Sequence, residues 1–204
     1  PMSREEIREY LNAVYDLERL LGKVSYKTAN PRDLIAFRNS MQMLPPIKSV
    51  LEDFHSEELV KIENDIDALQ DLCTLIEEAI VEEPPISIRE GGMIKEGFDE
   101  TIDQLRAAKT EGKTWLAELE EQERERTGIK NLYKDMVPDD YVRKQTLTNA
   151  ERYSMPRLKE LEDMILNAED KLTGLEYDKF CSVREQIAAQ IERIQRTAKA
   201  IARL

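Results

Sequence analysis

Residues 157–204, the last quarter of the 204-residue chain, read RLKELEDMILNAEDKLTGLEYDKFCSVREQIAAQIERIQRTAKAIARL. Apolar side chains recur in this stretch at steps of three and four, a spacing typical of the buried face of a helix. They are Leu158, Leu161, Ile165, Ala168, Leu172, Leu175, Phe180, Val183, Ile187, Ile191, Ile194, Ala198 and Ile201. The internal Gly174 costs a helix about 1 kcal/mol and is not expected to break it. The stretch therefore predicts one helix about 70 Å long, since each residue adds about 1.5 Å.

The composition of the whole chain also favours helices over sheets. Charged residues make up 35% of it, aromatic residues only 6%, and there are seven glycines, which is typical of long helices. The net charge of −12, from 42 acidic and 30 basic residues, argues against a protein that coats nucleic acid indiscriminately. Two isolated cysteines, Cys73 and Cys181, favour a cytoplasmic location. We expect neither a membrane span nor a signal peptide, because no apolar run reaches about 18 residues.

Local signals predict a series of helices over the first part of the chain. The first helix is expected to run to about Leu21 and to stop at Gly22. The pair Asn30-Pro31 opens the next one, because proline suits the first turn of a helix. Residues 59–76 read as a single amphipathic helix. This part of the chain is therefore expected to form a helical core.

A second set of signals marks a long helix further along the chain. Residues 86–94 are the best place for a small extended ribbon, since they alternate in polarity and contain the pair Gly91-Gly92. Asp99 then caps a helix that is expected to run to about Arg126. This helix and the C-terminal one are predicted to pack as a long antiparallel pair.

The two long helices bracket residues 127–153, whose composition differs from that of the rest of the chain. The segment has two β-favouring patches, Tyr141-Val142 and the residues from Gln145 to Thr148. Its five basic and four acidic residues give it a charge of +1, which leaves −13 for the rest. We therefore divide the chain into a helical core with the first long helix (1–126), a small β-rich insertion (127–153) and a returning long helix (154–204). The insertion is the part best able to approach a phosphate backbone.

The sequence predicts no catalytic residue, no metal site and no cofactor in this chain. Residues 107–114 fit the loose form of a phosphate-binding loop, but they contain one glycine and lie inside a predicted helix, whereas such a loop follows a strand. The lone histidine, His55, has no second histidine or cysteine near it. The alternative to DNA contact is a coiled-coil protein that dimerises through the C-terminal helix, although the shift in phase after Leu175 favours packing within its own domain.

Three groups of short motifs, in order along the chain, resemble one known family. They are DLERLL (16–21) with ANPRDL (29–34); REGGMI (89–94) with GFD (97–99) and LR (105–106); and TGIKNL (127–132) with QTLTNAERY (145–153) and LKELE (158–162). The family is that of the MutS DNA mismatch repair proteins. The motifs resemble, in turn, the start of its core and lever region, the ribbon into its first lever helix, and the two edges of its clamp domain with the start of the returning lever helix.

The resemblance implies that the chain is the middle of a longer protein. Members of this family read mismatches with a Phe-x-Glu motif in an N-terminal domain and hydrolyse ATP, with Mg²⁺, in a C-terminal Walker-type domain, and we expect neither domain in this fragment. The implied fragment couples those two ends through its lever helices and holds duplex DNA with the clamp. The implied partners are duplex DNA, mismatched and bound through the full-length protein, and a second MutS subunit. The fragment itself is expected to be a monomer in a bacterial cytoplasm, associated with the nucleoid when on DNA.

The resemblance also implies which residues contact the DNA backbone. Lys130 and Asn131 match one edge of the clamp, and Lys144, Asn149 and Arg152 match the other. The chain departs from the family after Leu132, where the family continues through a further clamp strand with a Gly-Tyr-Tyr-like sequence. That strand is either deleted from this chain or present in the protein and missing from the sequence shown. In both cases the clamp is expected to be incomplete.

Overall fold

The computed structural model describes residues 2–14, 17–127, 142–146, 151–154 and 156–204, and this part of the chain is mainly helical, as predicted. The helices are α1 Met2–Ala13, α2 Leu17–Ser25, α3 Pro31–Met41, α4 Leu44–Leu51, α5 Glu57–Asp65, α6 Gln70–Ala79, α7 Glu100–Thr127, α8 Pro156–Ala188 and α9 Ile191–Ile201. A 3₁₀ helix spans Ile88–Glu90, and the strands β1 Val142–Thr146 and β2 Glu151–Ser154 lie between α7 and α8 in sequence. The chain forms two compact units, unit 1 (Pro1–Phe98 and Leu175–Leu204) and unit 2 (Asp99–Gly174).

Local side chains account for the starts of α3 and α7. The Asn30 side chain accepts a hydrogen bond from the backbone N–H of Asp33 (2.9 Å), and the Asp33 carboxylate accepts one from the N–H of Asn30 (3.0 Å). These reciprocal bonds satisfy two N–H groups that a helix start leaves without partners. Asp99 Oδ1 accepts in the same way from the N–H of Ile102 (3.1 Å). Both predicted helix starts are therefore confirmed.

The prediction of one unbroken C-terminal helix is wrong. Helix α8 runs through Gly174, as expected, but it ends at Ala188, and α9 begins at Ile191. No glycine or proline lies between them, so intrinsic helix propensity does not explain the break. Gln190 leaves the helical conformation (φ −101°, ψ 19°), and α9 then packs against α2 and α5. We attribute the break to this packing, since most helix stability in proteins comes from tertiary contacts.

Two more stretches that were predicted as single helices are divided. Gly22 lies inside α2 instead of ending the first helix, because the interruption falls earlier, between α1 and α2. Residues 59–76 are divided between α5 and α6, where Leu69 has a positive φ of 50°. The N–H of Leu69 donates to Asp67 Oδ1 (2.9 Å), and the N–H of Asp67 donates to Thr197 Oγ1 of α9 (3.0 Å). This turn is therefore held by a residue that is distant in sequence.

The extended ribbon predicted at residues 86–94 is only partly present. Ile88 begins the 3₁₀ helix, and Ile94 forms an isolated antiparallel bridge with Ile80, just after α6. The N–H of Gly92 donates to the carboxylate of Glu176 in α8, a side chain that is only 1% exposed. The segment 86–94 thus pairs with residues outside itself, Ile80 and Glu176, and not with itself as a ribbon would.

The core of unit 1 gathers helices from both ends of the chain. Helix α3 packs on α6 and α2, while α2 and α5 also contact α9. Its fully buried side chains include Leu20, Leu34, Phe37, Met41, Leu44, Ile47, Ile62, Ile76, Phe180, Val183, Ile187 and Ile194. The last four belong to the C-terminal apolar stripe and are 0% exposed within the single chain. The coiled-coil dimer alternative is therefore not favoured, because these residues are not available as a seam.

Candidate nucleic-acid interface

Two of the five residues predicted to contact DNA lie in the strands of unit 2. Lys144 lies in β1 and Arg152 lies in β2, whereas Lys130, Asn131 and Asn149 lie outside the described residues. The strands pair antiparallel, and Arg152 stands opposite Gln145, the residue that follows Lys144. The pairing thus places Lys144 and Arg152 at neighbouring backbone positions across the two strands.

The register of the strand pair is irregular at Lys144. Val142 pairs with Ser154, Arg143 with Tyr153, Gln145 with Arg152 and Thr146 with Glu151. The register shifts between Arg143 and Gln145, so Lys144 is the extra residue of a bulge, a feature that locally increases strand twist. Residues from both β-favouring patches, Val142 and Gln145-Thr146, lie in the single strand β1.

The two strands carry an excess of positive charge. Arg143, Lys144 and Arg152 are basic and Glu151 is acidic, so the strands have a net charge of +2. In protein–DNA complexes, Arg and Lys side chains supply many of the contacts to phosphate oxygens, and these contacts carry no sequence information. The strand pair can therefore supply contacts to a nucleic-acid backbone.

Two lysines of α7 share one glutamate of α8 within unit 2. The Nζ atoms of Lys109 and Lys113 each lie 2.8 Å from Glu169 Oε1. Hydrogen bonds from Lys109 and then Lys113 lower the pKa of Glu169 to about 2. An ideal Cβ on Gly112 would lie 3.4 Å from Cγ1 of Ile165, so the backbone of α7 comes close to α8 here. Sequence reasoning missed this contact, although the spacing of four residues between the lysines places them on one helix face.

Many basic side chains in the described part of unit 1 are next to carboxylates. The ion pairs are Lys23–Asp33, Lys27–Glu185, Arg38–Glu82, Lys48–Glu63, Arg193 with Asp67 and Asp71, and Arg203 with Glu58 and Asp65. Such local neutralisation leaves less positive potential for a polyanion than the residue count suggests.

Arg193 joins two carboxylates at 2.8 Å in one of these clusters. Its hydrogen bonds hold the pKa values of Asp67 and Asp71 below their usual range, and the two carboxylates in turn raise the pKa of Arg193. Arg38 forms a second cluster, with Nη1 2.7 Å from Glu82 Oε1 and Nη2 2.8 Å from Oε2. Sequence reasoning missed both clusters, because their partners come from distant segments and no short motif marks them.

The structure also locates the sequence features that resemble chemical sites. Residues 107–114, the phosphate-binding-loop match, lie inside α7, and a continuous helix directs its backbone N–H groups along its own axis and not around a phosphate. Among the described residues, no three His, Cys, Asp or Glu side chains are grouped so that they could hold a metal ion. None of the described helices combines the length and the apolar character that crossing a membrane requires.

A family model and several known proteins that match this chain all belong to the same family. The family model of MutS domain III matches residues 1–204. The chain is 58% identical over 220 residues to the DNA mismatch repair protein MutS of Lachnoclostridium phytofermentans, covering 100% of this chain and 24% of the relative. It is 48% identical to the MutS of Ruminiclostridium cellulolyticum (100% of this chain, 25% of the relative) and 49% identical to that of Caldanaerobacter subterraneus (98% and 25%). The chain thus spans about a quarter of the length of these relatives.

The same comparison bears on the length of the chain. The alignment with the Lachnoclostridium relative extends over 220 residues, whereas the chain has 204. The alignment with the Ruminiclostridium relative is also 220 residues long and also covers all of this chain. Each alignment therefore contains at least 16 positions (220 against 204) at which the relative has a residue and this chain has none.

Proposed function

Because the chain belongs to the MutS family of DNA mismatch repair proteins, we propose that it contacts duplex DNA non-specifically through the segment that contains β1 and β2. The observation that carries this proposal is the placement of Lys144 and Arg152 at neighbouring positions in a strand pair with a net charge of +2. Lys130, Asn131 and Asn149 complete the proposed set of DNA-contacting residues. Their contacts go to phosphates, so they position the duplex without reading its sequence.

The distribution of charge in the rest of the chain supports this choice of surface. Residues outside 127–153 have a net charge of −13, and many basic side chains of unit 1 already bind carboxylates. An acidic surface repels a phosphate backbone over roughly the 8 Å Debye length at physiological salt. The strand segment is therefore the favoured approach for DNA.

The two long helices α7 and α8, which contact each other within unit 2, suggest how this contact serves the whole protein. Helix α7 has 28 residues and α8 has 33, and Lys109 and Lys113 bind Glu169 between them. In our proposal they form the antiparallel lever pair that couples DNA-reading and ATPase domains elsewhere in the protein. Rigid elements of this kind transmit a change at one end to the other.

The remaining parts of the proposal concern the protein as a whole. ATP and Mg²⁺ would bind outside this chain, which would itself be non-catalytic, and a second MutS subunit would complete the grip on DNA. The chain alone would be a cytoplasmic monomer. The alignments with two relatives are longer than this chain. In our proposal the residues that the chain lacks are clamp residues after Leu132, so we expect weak DNA binding by this chain alone.

Duplex binding at increasing salt tests the proposal. We would measure the fluorescence anisotropy of a labelled duplex, starting at low salt because a few phosphate contacts give little affinity. Arg152→Ala should weaken binding equally for matched and mismatched duplexes. It should also reduce the slope of log affinity against log salt by about 1, since one phosphate contact is lost.

Lys61→Ala is the matched control, because Lys61 is an exposed basic residue of α5 in unit 1. It removes the same charge and should leave the slope unchanged. The proposal fails if Lys61→Ala and Arg152→Ala have the same effect, or if binding is tight, insensitive to salt or selective for sequence.

A further inference from the structure

Arg184 of α8 is a buried cation whose hydrogen bonds include none to a carboxylate. Its side chain lies in unit 1, and the residue is only 6% exposed. Nη1 donates to the backbone oxygens of Lys27 (2.8 Å) and Ala29 (3.3 Å), and Nη2 donates to Cys181 Sγ (3.5 Å). Among the described residues, nothing accepts a hydrogen bond from its buried Nε. Because a buried charge is costly without compensation, a negative partner would stabilise this guanidinium.

The carboxylates around Arg184 do not supply that partner. Glu185, the next residue, is exposed, and its Oε1 lies 3.0 Å from Lys27 Nζ. The hydrogen bond from Lys27 is the main cause of the lowered pKa of Glu185, and the charge of Arg184 is a smaller one. Asp178, one helical turn before Cys181, is exposed, so solvent screens its charge. Of the groups that contact the guanidinium, only the thiol of Cys181 can become an anion.

The other cysteine of the chain has the opposite surroundings. Cys73 is 2% exposed, and its Sγ lies 3.8 Å from Glu77 Oε1. Burial, and then the charge of Glu77, raise the pKa of Cys73 to about 11. Cys181 is only half-buried and contacts a cation. Access for a reagent and a positive neighbour are the surroundings of reactive cysteines in proteins, so the two thiols should differ strongly in reactivity.

We propose that Cys181 is a modification site, which hydroperoxides oxidise to a sulfenic acid while Arg184 stabilises the reacting thiolate. With hydrogen peroxide, the thiolate sulfur attacks one oxygen, an S–O bond forms and the O–O bond breaks. The sulfur is oxidised and the peroxide is reduced. The hydroxide that leaves takes up the proton that the thiol had released, and gives water. The site is independent of the proposed DNA contact, because no residue of β1 or β2 takes part.

Oxidation of the full chain by hydrogen peroxide at pH 7 tests the site. Dimedone traps sulfenic acids, and peptide mass spectrometry then gives the rate of trapping at each cysteine. We expect trapping at Cys181 to be at least about tenfold faster than at Cys73, since the thiolate is the nucleophile. The same experiment would be done on a synthetic peptide of residues 176–186, in which no fold holds Arg184 against the sulfur.

Cys181 should react about threefold faster in the folded chain than in this peptide. The gain is modest because a thiolate that forms more readily is also a weaker nucleophile. Partial burial by itself would make Cys181 slower than the peptide, so a faster reaction in the folded chain identifies the effect of the cation.

Arg184→Gln removes the cation and should slow trapping at Cys181 about threefold. Arg184→Lys keeps the positive charge and should retain most of the wild-type rate. The control is Arg196→Gln, which removes the same charge from an exposed position of α9 and should leave the rate unchanged. Cys73 reports on folding in every variant, because unfolding exposes it and its own trapping rate would then rise.

The proposal is wrong if Cys181 is trapped no faster in the folded chain than in the peptide, or if Cys73 is trapped as fast as Cys181. It is also wrong if Arg184→Gln reacts at the wild-type rate while Cys73 stays protected. Should Arg184→Gln unfold, the comparison of the folded wild-type chain with the peptide decides the question by itself.

Discussion

The side chain of Arg193 joins two places in unit 1 where a helix is interrupted, the turn between α5 and α6 and the break between α8 and α9. Its Nε donates to Asp67 (2.8 Å), and its two Nη atoms donate to the two oxygens of Asp71 (2.8 and 2.9 Å). Nη1 also contacts Gln190 Oε1 (3.2 Å), at the break between α8 and α9. The planar guanidinium suits this geometry, because its donors are fixed in the directions that a carboxylate accepts.

Replacing Arg193 by alanine should therefore destabilise unit 1. Hydrogen bonds to charged partners contribute about 1.5–3 kcal/mol each, but the Arg193 side chain is 35% exposed, so solvent screening reduces the effect to about 1–2 kcal/mol in total. Urea unfolding followed by circular dichroism at pH 7 measures the change. Arg196→Ala, at an exposed position of the same helix, is the control and should leave the unfolding midpoint unchanged; equal midpoints for both variants would contradict the expectation.

The effect of Arg193→Ala should depend on pH in a defined direction. Arg193 holds the pKa values of Asp67 and Asp71 below their usual range in the folded protein. A lowered folded pKa stabilises the protein above the unfolded value, about 3.9, and this stabilisation is lost as the pH falls through the folded value. The difference in unfolding free energy between wild type and Arg193→Ala should thus be full at neutral pH and shrink below about pH 4. If the difference in unfolding free energy instead grew as the pH fell, the expectation would be contradicted.

At the scale of elements, the end of α2 contains a residue in an unfavourable conformation. Lys27 has a positive φ of 58°, at a position after a helix where glycine is usual. The N–H groups of Thr28 and Ala29 donate to Lys23 O (2.9 and 3.0 Å), and Arg184 Nη1 donates to Lys27 O (2.8 Å). These bonds offset the cost of about 1–2 kcal/mol for a left-handed residue that is not glycine.

Lys27→Gly should be more stable than Lys27→Ala by about 1 kcal/mol. Both variants lose the exposed ion pair with Glu185, but only glycine removes the steric cost of the positive φ, and its greater freedom in the unfolded chain offsets part of the gain. The comparison of their urea midpoints isolates the backbone effect. A Lys27→Ala protein as stable as Lys27→Gly would show that the backbone is not strained there.

Helix starts and helix interruptions differ in how well the sequence predicts them. The starts of α3 and α7 depend on Asn30, Asp33 and Asp99, which bond within a few residues of themselves. The interruptions after α5 and α8 are joined by Arg193 and Thr197, whose partner Asp67 is more than 120 residues away. A single-sequence pattern carries no sign of such pairs, so each was predicted as a continuous helix.

At the scale of the whole molecule, charge and composition separate one segment from the rest. The segment at 127–153 has a charge of +1 in a chain of −12, and its β-favouring residues predicted strands that the structure places at β1 and β2. The pairing of Gln145 with Arg152 and the bulge at Lys144 were not predictable, because register depends on the geometry of the connection between strands. The sequence could therefore indicate the segment that we propose contacts DNA, but not how the basic residues of that segment are arranged.

Nuclear magnetic resonance of the ¹⁵N-labelled chain during titration with duplex DNA tests the central claim most directly, because it shows which backbone amides respond. We predict shifts in β1 and β2, Val142–Thr146 and Glu151–Ser154, that are the same for matched and mismatched duplexes and weaken as salt is added. Shifts confined to unit 1, for example in α9, with none in the two strands, would contradict the account.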